Sequence, residues 1–256
     1  MAEPQKVIVT GGATSIGLAI AEQFLKEGAL VHICDLDAAA IATALANHAG
    51  LSATRADVAV PAQVEGVVQE AYKRFGGYVD VLVNNVGCGG AHKAVEEISY
   101  DEWDATMRTN VGGMFYGIKN VVATMKLRRH GVIINISTAS VRGKPRRRSD
   151  YNTSKAAIEE LSNSLAKELG PFGIRCNVIR PGVMNNARMR RICEKYAAEQ
   201  GRTADEVEQD YLNYVSMHSK IQPSEIGDAC AFLASAKAKH ITGQIISVCG
   251  NLEWEG

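Results

Sequence analysis

The chain has 256 residues, 46% of them hydrophobic and 24 of them glycine, which fits one α/β domain with a large core. The 28 lysines and arginines balance 28 aspartates and glutamates, so the overall charge gives no indication of a nucleic-acid partner. Six scattered cysteines show no zinc spacing, and no run reaches the roughly 18 apolar residues of a membrane span.

The N-terminus lacks the basic start and the apolar stretch of a signal peptide, so we expect a cytoplasmic protein with reduced thiols. A buried strand over 6–10 then runs into a glycine-rich turn and an amphipathic helix over 16–27. This arrangement places a dinucleotide pyrophosphate on a helix N-terminus, because the glycines let the backbone approach the phosphates closely. The first elements therefore predict a dinucleotide site.

The second strand, 30–34, ends in Asp35. A carboxylate at this distance from the glycine-rich turn accepts hydrogen bonds from a ribose 2′-hydroxyl and repels a 2′-phosphate. No Arg or Lys adjoins Asp35 in the sequence. We therefore predict NAD, rather than NADP, as the cofactor.

Strands and amphipathic segments alternate along the rest of the chain, which predicts a doubly wound (Rossmann) α/β fold. We expect a single domain over 1–256, with a seven-stranded parallel sheet and helices on both faces. The predicted strands are 6–10, 30–34, 51–56, 79–84, 131–136, 174–179 and 244–248, and the clearest helices are 16–27, 61–75, 101–127, 152–169 and 223–235. Gly11, Asn84, Ser137 and Pro181 follow strand ends, so we expect them to converge on one cleft.

The helical segment 152–169 begins beside Tyr151, and Lys155 stands four residues further on. Residues at this spacing lie on one helix face, so a phenol and an ammonium are presented side by side. A nearby cation favours the phenolate and lowers the pKa of the tyrosine. Such a phenol exchanges a proton near neutral pH, as the interconversion of a carbonyl and an alcohol requires.

Taken in order, these motifs resemble those of the classical short-chain dehydrogenases/reductases, and the resemblance covers nearly the whole chain. The family's T-G-x-x-x-G-x-G motif matches residues 10–17, with Ser15 in place of its second glycine. The remaining matches are the adenine-side acid at Asp57, the N-N-A-G motif at Asn84-Asn85-Val86-Gly87, the mid-helix asparagine at Asn110 and the P-G motif at Pro181-Gly182.

The resemblance implies that Asn110, Thr138, Tyr151 and Lys155 are catalytic. In that scheme, Lys155 contacts the nicotinamide ribose and lowers the pKa of Tyr151, and Asn110 holds a water that links Lys155 to solvent. The implied cofactor-binding residues are Gly11, Ser15, Ile16, Gly17, Asp35, Leu36, Asp57, Val58, Asn84, Asn85, Val86, Gly87, Tyr151, Lys155, Pro181, Gly182, Val183 and Asn186.

Two positions depart from the family pattern. The catalytic serine of the family lies thirteen residues before the tyrosine, where this chain has Thr138. Threonine keeps the hydroxyl donor but adds a methyl group and restricts χ1. Ser137 and Ser140 are alternatives, and we rank Thr138 first and Ser140 second. Asn186 stands where the family usually has threonine, and its amide can still hydrogen-bond the nicotinamide carboxamide.

A basic run from Arg142 to Arg148 precedes Tyr151. It is either an anion-attracting rim, suited to carboxylate, sulfonate or phosphate, or a solvated loop or subunit contact. The 185–222 segment is longer than a connection needs and has helical patterns over 187–200 and 203–217. The resemblance implies that this segment is a substrate lid. The predicted substrate-binding residues are Thr138, Ser140, Arg148 and Arg188.

The sequence thus predicts an NAD-dependent enzyme that interconverts a secondary alcohol and a ketone, on a small anionic substrate such as a hydroxy acid. A 3-hydroxyacyl-CoA, a polyol or a cyclic alcohol are alternative substrates, and a non-catalytic NAD-binding regulator is a remote alternative. We expect no metal, because a loop cysteine and a loop histidine account for Cys88 and His92. The resemblance also implies a homotetramer formed by helices matching 101–127 and 152–169.

Overall fold

The computed structural model describes residues 3–252, so both ends of the predicted 1–256 domain lie outside the described residues. The strands are β1 Lys6–Thr10, β2 Leu30–Asp35, β3 Leu51–Arg55, β4 Val81–Asn84, β5 Gly131–Ile136, β6 Ile174–Pro181 and β7 Ile245–Val248. The α-helices are α1 Ser15–Lys26, α2 Ala38–Asn47, α3 Pro61–Phe75, α4 Tyr100–Met107, α5 Gly113–Arg128, α6 Ser140–Gly143, α7 Ser149–Leu169, α8 Ala187–Gln200, α9 Ala204–Asn213 and α10 Pro223–Ala234.

The seven strands form one parallel sheet in the order β3-β2-β1-β4-β5-β6-β7. The strand order reverses between β1 and β4, and ligands of such sheets bind at the carboxyl ends of the strands near this point. The predicted seven-stranded doubly wound fold is therefore confirmed. Each predicted strand is present, with ends that differ by at most two residues from those observed.

Side chains of β1 point alternately to the two faces of the sheet. Val7 and Val9 belong to the core packed against α1, α2 and α10, whereas Ile8 belongs to the core packed against α3, α5 and α7. Both faces are thus covered by helices, as the uninterrupted apolar strands indicate. Within residues 3–252, no helix is long and apolar enough to cross a membrane.

The predicted helix 101–127 is interrupted. The chain forms α4, then a π-helical turn over Arg108–Gly112, and then α5. A π turn inserts one extra residue per turn and often lies at a functional site. This turn carries the fully buried Asn110.

The predicted helices of the 185–222 segment are present, but the second is shorter than expected. It ends at Asn213 rather than Met217, and its start is fixed by a capping box between Thr203 and Glu206. The segment is anchored by a small apolar core that includes Cys193 and Val207. Helix α2 and the single-turn helix α6 were not among the clearest predicted segments.

Candidate active site

A cavity of about 990 Å³ runs along the carboxyl ends of the strands. The predicted site residues that line it are Gly11, Ser15, Ile16, Gly17, Asp35, Leu36, Asp57, Val58, Asn85, Val86, Gly87, Thr138, Ser140, Arg148, Tyr151, Lys155, Pro181, Gly182, Asn186 and Arg188. Asn84, Asn110 and Val183 lie outside its lining. The sequence-predicted residues therefore meet in one place, with three exceptions.

The glycine-rich turn packs tightly against α1. A Cβ on Gly17 would lie 1.9 Å from the Gly11 carbonyl oxygen, so only glycine permits this approach. Asn85 holds the turn to β4 by donating from Nδ2 to the carbonyls of Thr10 and Gly11, at 3.1 and 3.2 Å. The first turn of α1 contains no acid, and its N-cap residue Thr14 makes no side-chain cap. Its N–H groups therefore suit the pyrophosphate of a dinucleotide.

The Asp35 carboxylate lies at the end of β2 beside this turn. Oδ2 accepts a hydrogen bond from the Ala13 N–H (3.2 Å), and Oδ1 accepts one from the Leu36 N–H (2.8 Å). No Arg or Lys is next to Asp35 in the sequence. In the sheet, however, Arg55 of β3 lies opposite Asp35 of β2 in the strand register. Arg55 Nε donates to the Leu36 carbonyl at 3.1 Å. A cation therefore neighbours the predicted ribose site, and only strand pairing reveals it.

Lys155 is buried on α7, and its Nζ donates to the Ile136 carbonyl at 2.8 Å. Burial, together with the positive charge of Arg188, lowers the pKa of Lys155 to about 7, against the opposing effects of Cys88 and Glu159. The lysine therefore changes its charge near neutral pH, where proton exchange is most useful to an enzyme. Tyr151, one turn earlier on the same helix face, is also buried and lines the same cavity.

Asn110 supports this site from behind. Its Oδ1 accepts from the Cys88 N–H at 2.8 Å, and its Nδ2 donates to the Cys88 carbonyl (3.2 Å) and to Ser154 Oγ (2.9 Å). A Cβ on Gly87 would lie 2.9 Å from Lys155 Nζ and 3.5 Å from Asn110 Oδ1, so both atoms flank the same gap. The π turn thus brings an amide to the rear of the lysine.

Three hydroxyl groups follow β5, and they differ in their partners. Ser137 Oγ donates to Glu159 Oε1 at 2.7 Å and is buried. Thr138 Oγ1 contacts Ser140 Oγ at 3.2 Å and accepts from the Ser140 N–H at 3.2 Å. Thr138 and Ser140 therefore form one local pair at the cavity wall, whereas the Ser137 hydroxyl is taken up by the framework.

Ser15 and Asn186 contact each other across the cavity. Asn186 Oδ1 accepts from the Met189 N–H at 2.9 Å and so caps α8, and its Nδ2 donates to Ser15 Oγ at 3.2 Å. Ser15 has φ +50°, in the left-handed region that favours glycine. The serine that replaces the family glycine therefore connects the glycine-rich turn to the start of α8.

Arg148 is 8% exposed, although it belongs to the basic run. Its guanidinium lies over the Tyr151 ring, 4.2 Å from the ring centre, and NH1 contacts His92 Nε2 at 3.1 Å. Its Nε has no hydrogen-bond partner among residues 3–252. Neighbouring Asp150 directs its carboxylate to the N–H groups of Ala91 and Tyr151. A buried cation therefore borders the cavity beside the predicted catalytic tyrosine.

The exceptions have structural explanations. Asn84 Nδ2 donates to Asn135 Oδ1 at 2.9 Å beneath the site. Val183 packs in an apolar cluster with Val215 of the 185–222 segment. Sequence reasoning missed several lining residues of that segment. They include Met189, Ile192, Tyr196 and Tyr211, and Met184 lies just before the segment. The helical spacing of Arg188, Arg191 and Ile192 was the available signal that one face of α8 meets the site.

A doubly wound sheet, a glycine-rich turn at a helix N-terminus and a buried tyrosine–lysine pair are together typical of a dinucleotide-dependent oxidoreductase. The family model described as enoyl-(acyl carrier protein) reductase matches residues 11–251. The chain belongs to the short-chain dehydrogenase/reductase family, whose members use nicotinamide cofactors.

The chain is similar to known proteins over nearly its whole length. It is 33% identical to the 2-(R)-hydroxypropyl-CoM dehydrogenase of Xanthobacter autotrophicus, covering 95% of this chain and 96% of that protein. It resembles the crystal structure of an actinorhodin polyketide ketoreductase with NADPH (TM-score 0.93, 29% identity, 98% and 99% coverage). It also resembles that of an NAD⁺-bound xylitol dehydrogenase (TM-score 0.89, 29% identity, 96% and 98% coverage).

Proposed function

We propose that this protein is an NAD-dependent dehydrogenase that interconverts a secondary alcohol and a ketone on a small anionic substrate, such as a hydroxy acid. The reaction class follows from the family and from the Tyr151–Lys155 pair. The anionic substrate is supported by one observation, the buried Arg148 guanidinium with its unpartnered Nε at the cavity wall. The preference for NAD is supported by Asp35, which borders the predicted ribose site.

The residues present fit a nicotinamide dinucleotide. The α1 N-terminus would hold the pyrophosphate, Asp35 the adenosine ribose and Lys155 the nicotinamide ribose. When bound, the cofactor supplies the nicotinamide ring that accepts or donates hydride.

The protein's own groups control the proton. The Tyr151 phenolate, stabilised by Lys155 beside it, would accept the hydroxyl proton of the alcohol and become a neutral phenol. Thr138 would hold the substrate oxygen by donating a hydrogen bond, with Ser140 supporting its orientation. We further propose that the gap between Lys155 and Asn110 carries the proton toward solvent.

Electrostatics in the substrate half of the cavity favour an anion. The acids among the described lining residues are Asp35, Asp37 and Asp57, and all three lie at or just beyond the ends of β2 and β3, at the adenosine end. Arg148 and Arg188 line the opposite end. The Arg148 guanidinium contacts an aromatic ring and an imidazole, so its remaining N–H groups can donate to a planar or tetrahedral oxyanion. An anionic substrate would satisfy the Arg148 Nε, which finds no partner among residues 3–252.

The test is NADH formation over a panel of hydroxy acids, hydroxysulfonates, hydroxyacyl-CoAs, polyols and cyclic alcohols, each with NAD and with NADP. Arg148→Gln is compared with Arg147→Gln, a matched control because Arg147 is exposed and pairs with Glu97 at 3.6 Å. We expect turnover of anionic alcohols with NAD. We also expect Arg148→Gln to raise KM about tenfold or more, since charge-assisted hydrogen bonds contribute about 1.5–3 kcal/mol.

Other outcomes separate the alternatives. Turnover of neutral alcohols alone, unaffected by Arg148→Gln, would replace the anionic substrate with a polyol or cyclic alcohol. NADH binding without any turnover would favour the regulator. We also propose that the 185–222 segment acts as a lid and that the enzyme is cytoplasmic. We propose a homotetramer as its oligomeric state, which sedimentation analysis would test.

A further inference from the structure

A second cavity of about 400 Å³ adjoins the main one. The two share walls formed by Gly87, Arg188, Arg191, Ile192 and Tyr196. We call the second one the side cavity. It lies between α8 and the loop that contains Cys88 and His92. Because the shared Gly87 lies beside Lys155, the side cavity can receive the far end of a substrate that reacts in the main cavity.

One face of α8 supplies three cations to the side cavity. Arg188, Arg191 and Lys195 are spaced three and four residues apart, so they lie along one stripe of the helix. Arg188 donates from NH1 to the Gly87 carbonyl at 3.0 Å. None of the three forms an ion pair with an acid in the described part of the chain, and no acid lines this cavity.

The other face of α8 is built differently. Arg190, between two of these cations, pairs with Glu194 at 3.3 Å and with Asp205 of α9. The neighbouring Arg202 pairs with Asp210 at 2.5 Å. The acids of this segment therefore pair with Arg190 and Arg202. The three cations at the side cavity have no acidic partner in the described part of the chain. Three unneutralised cations around a concave space attract an anion.

His92 also lines the side cavity, and its imidazole carries no negative charge. Burial, together with the positive charge of Arg148, lowers the pKa of His92 to about 4, so the imidazole is neutral at physiological pH. His92 also contacts the Arg148 guanidinium at 3.1 Å. Arg148 in the main cavity and the cations of the side cavity thus lie on either side of one neutral ring.

We infer that the side cavity binds a phosphate or sulfonate group at the far end of the substrate, held by Arg188, Arg191 and Lys195. The inference rests on the proposed function and narrows the class of substrate. The substrate would be an alcohol or ketone with an arm that ends in a tetrahedral oxyanion. Arginine forks and a lysine ammonium match the several acceptor oxygens of such a group.

Cys88 provides a readout that does not depend on turnover. It lines the side cavity, and it is the one cysteine within residues 3–252 that is not buried. With NADH saturating, so that the pyrophosphate site is filled, the rate of Cys88 alkylation by iodoacetamide is measured with and without inorganic phosphate. We expect phosphate to slow the alkylation several-fold in the native protein. Cys88→Ser identifies the labelled site.

Variants assign this protection to the side cavity. Arg191→Gln and Lys195→Gln should each reduce it, whereas Arg190→Gln, on the opposite face, and Arg148→Gln, in the main cavity, should retain it. Each variant is compared with itself without phosphate, because removing a cation also changes thiol reactivity. Unchanged alkylation in phosphate, together with no phosphate binding by calorimetry, would overturn the inference. Equal loss of protection in Arg190→Gln would also contradict it.

A kinetic arm separates a substrate group from a free regulatory anion. Phosphate should compete with the anionic substrate found in the panel, raising KM and leaving kcat unchanged. A fall in kcat at constant KM would show a separate anion site and overturn the inference. If the panel shows no turnover, the proposed function fails, while Cys88 protection still reports whether the side cavity binds oxyanions.

Discussion

Ser137 donates a 2.7 Å hydrogen bond to Glu159, which lies one helical turn beyond Lys155 on α7. Glu159 also accepts from Arg180 through Nε at 2.7 Å and NH2 at 2.5 Å. This buried carboxylate therefore joins the ends of β5 and β6 to the helix that carries the proposed catalytic pair, Tyr151 and Lys155. Because the Ser137 hydroxyl is bonded to Glu159, we propose that Thr138 supplies the hydroxyl that contacts the substrate.

This division of roles predicts different effects for neighbouring hydroxyls. Thr138→Ala should lower kcat by about 10²-fold or more, as removal of an oxyanion donor does in other enzymes, whereas Thr138→Ser should remain active. Ser137→Ala should keep most activity and lower the free energy of unfolding by about 1–3 kcal/mol, since Glu159 loses a buried partner. Steady-state kinetics and urea denaturation measure the two effects. Full activity of Thr138→Ala with loss in Ser140→Ala would transfer the role to Ser140.

The lowered pKa of Lys155 predicts a pH dependence of stability. An unfolded lysine has a pKa of about 10.4, so between pH 7 and 10 the unfolded chain binds more protons than the folded one, in which the pKa is about 7. Stability should therefore rise with pH in this window, by about 1 kcal/mol from about pH 7 to about pH 8. Urea denaturation of the cofactor-free protein measures this rise.

Lys155→Met is the control for this pH effect. The variant lacks the titrating group, so its free energy of unfolding should gain less than the native protein over the same window. The comparison is made below about pH 8.5, because the unfolded thiols ionise there and the buried Cys34 and Cys230 have raised pKa values that oppose the trend. Equal slopes for the two proteins would mean that the folded lysine titrates near its ordinary pKa.

Cofactor choice should depend on Asp35 and Arg55 together. Asp35→Ser removes the carboxylate that repels a 2′-phosphate, and Arg55 in the adjacent strand is then available to a phosphate. We expect the ratio of kcat/KM for NADP to that for NAD to rise about tenfold or more, equal to about 1.4 kcal/mol. Arg55→Ala added to Asp35→Ser should reverse much of the gain.

Asp37→Ser is the matched control for cofactor choice. Asp37 also lines the cavity, but its Oδ1 caps α2 by accepting from the Ala39 N–H at 2.9 Å, and serine can replace that cap. The NADP/NAD ratio should stay unchanged in this variant. A native enzyme that uses both cofactors equally would contradict the role proposed for Asp35.

The sequence was most informative where local spacing decides geometry. Parallel strands bring their carboxyl ends to one edge, so the convergence of Gly11 and Pro181 could be predicted from strand positions alone. The four-residue interval of Tyr151 and Lys155 likewise placed both at one cavity. The predicted strands needed only small changes at their ends, since terminal residues have little local signal.

Tertiary contacts decided what the sequence left open. The π turn at Asn110 has no compositional signature, and its stabilisation comes from the Cys88 loop and Ser154. The burial of Arg148 within an otherwise exposed basic run depends on the Tyr151 ring and His92. The proximity of Arg55 to Asp35 follows from sheet pairing, which a linear search for adjoining cations does not detect.

Two glycine substitutions should have opposite effects. In Gly17→Ala, the new Cβ would lie 1.9 Å from the Gly11 carbonyl oxygen and 2.7 Å from Asn85 Nδ2, so the pyrophosphate-binding turn must shift. We expect NADH affinity, measured by fluorescence titration, to fall about tenfold or more, with lower thermal stability. Gly66→Ala, in the exposed part of α3, meets no atom within 4 Å and should raise the free energy of unfolding by about 0.5–1 kcal/mol without changing NADH affinity. Unchanged NADH binding in Gly17→Ala would show that the turn does not hold the pyrophosphate.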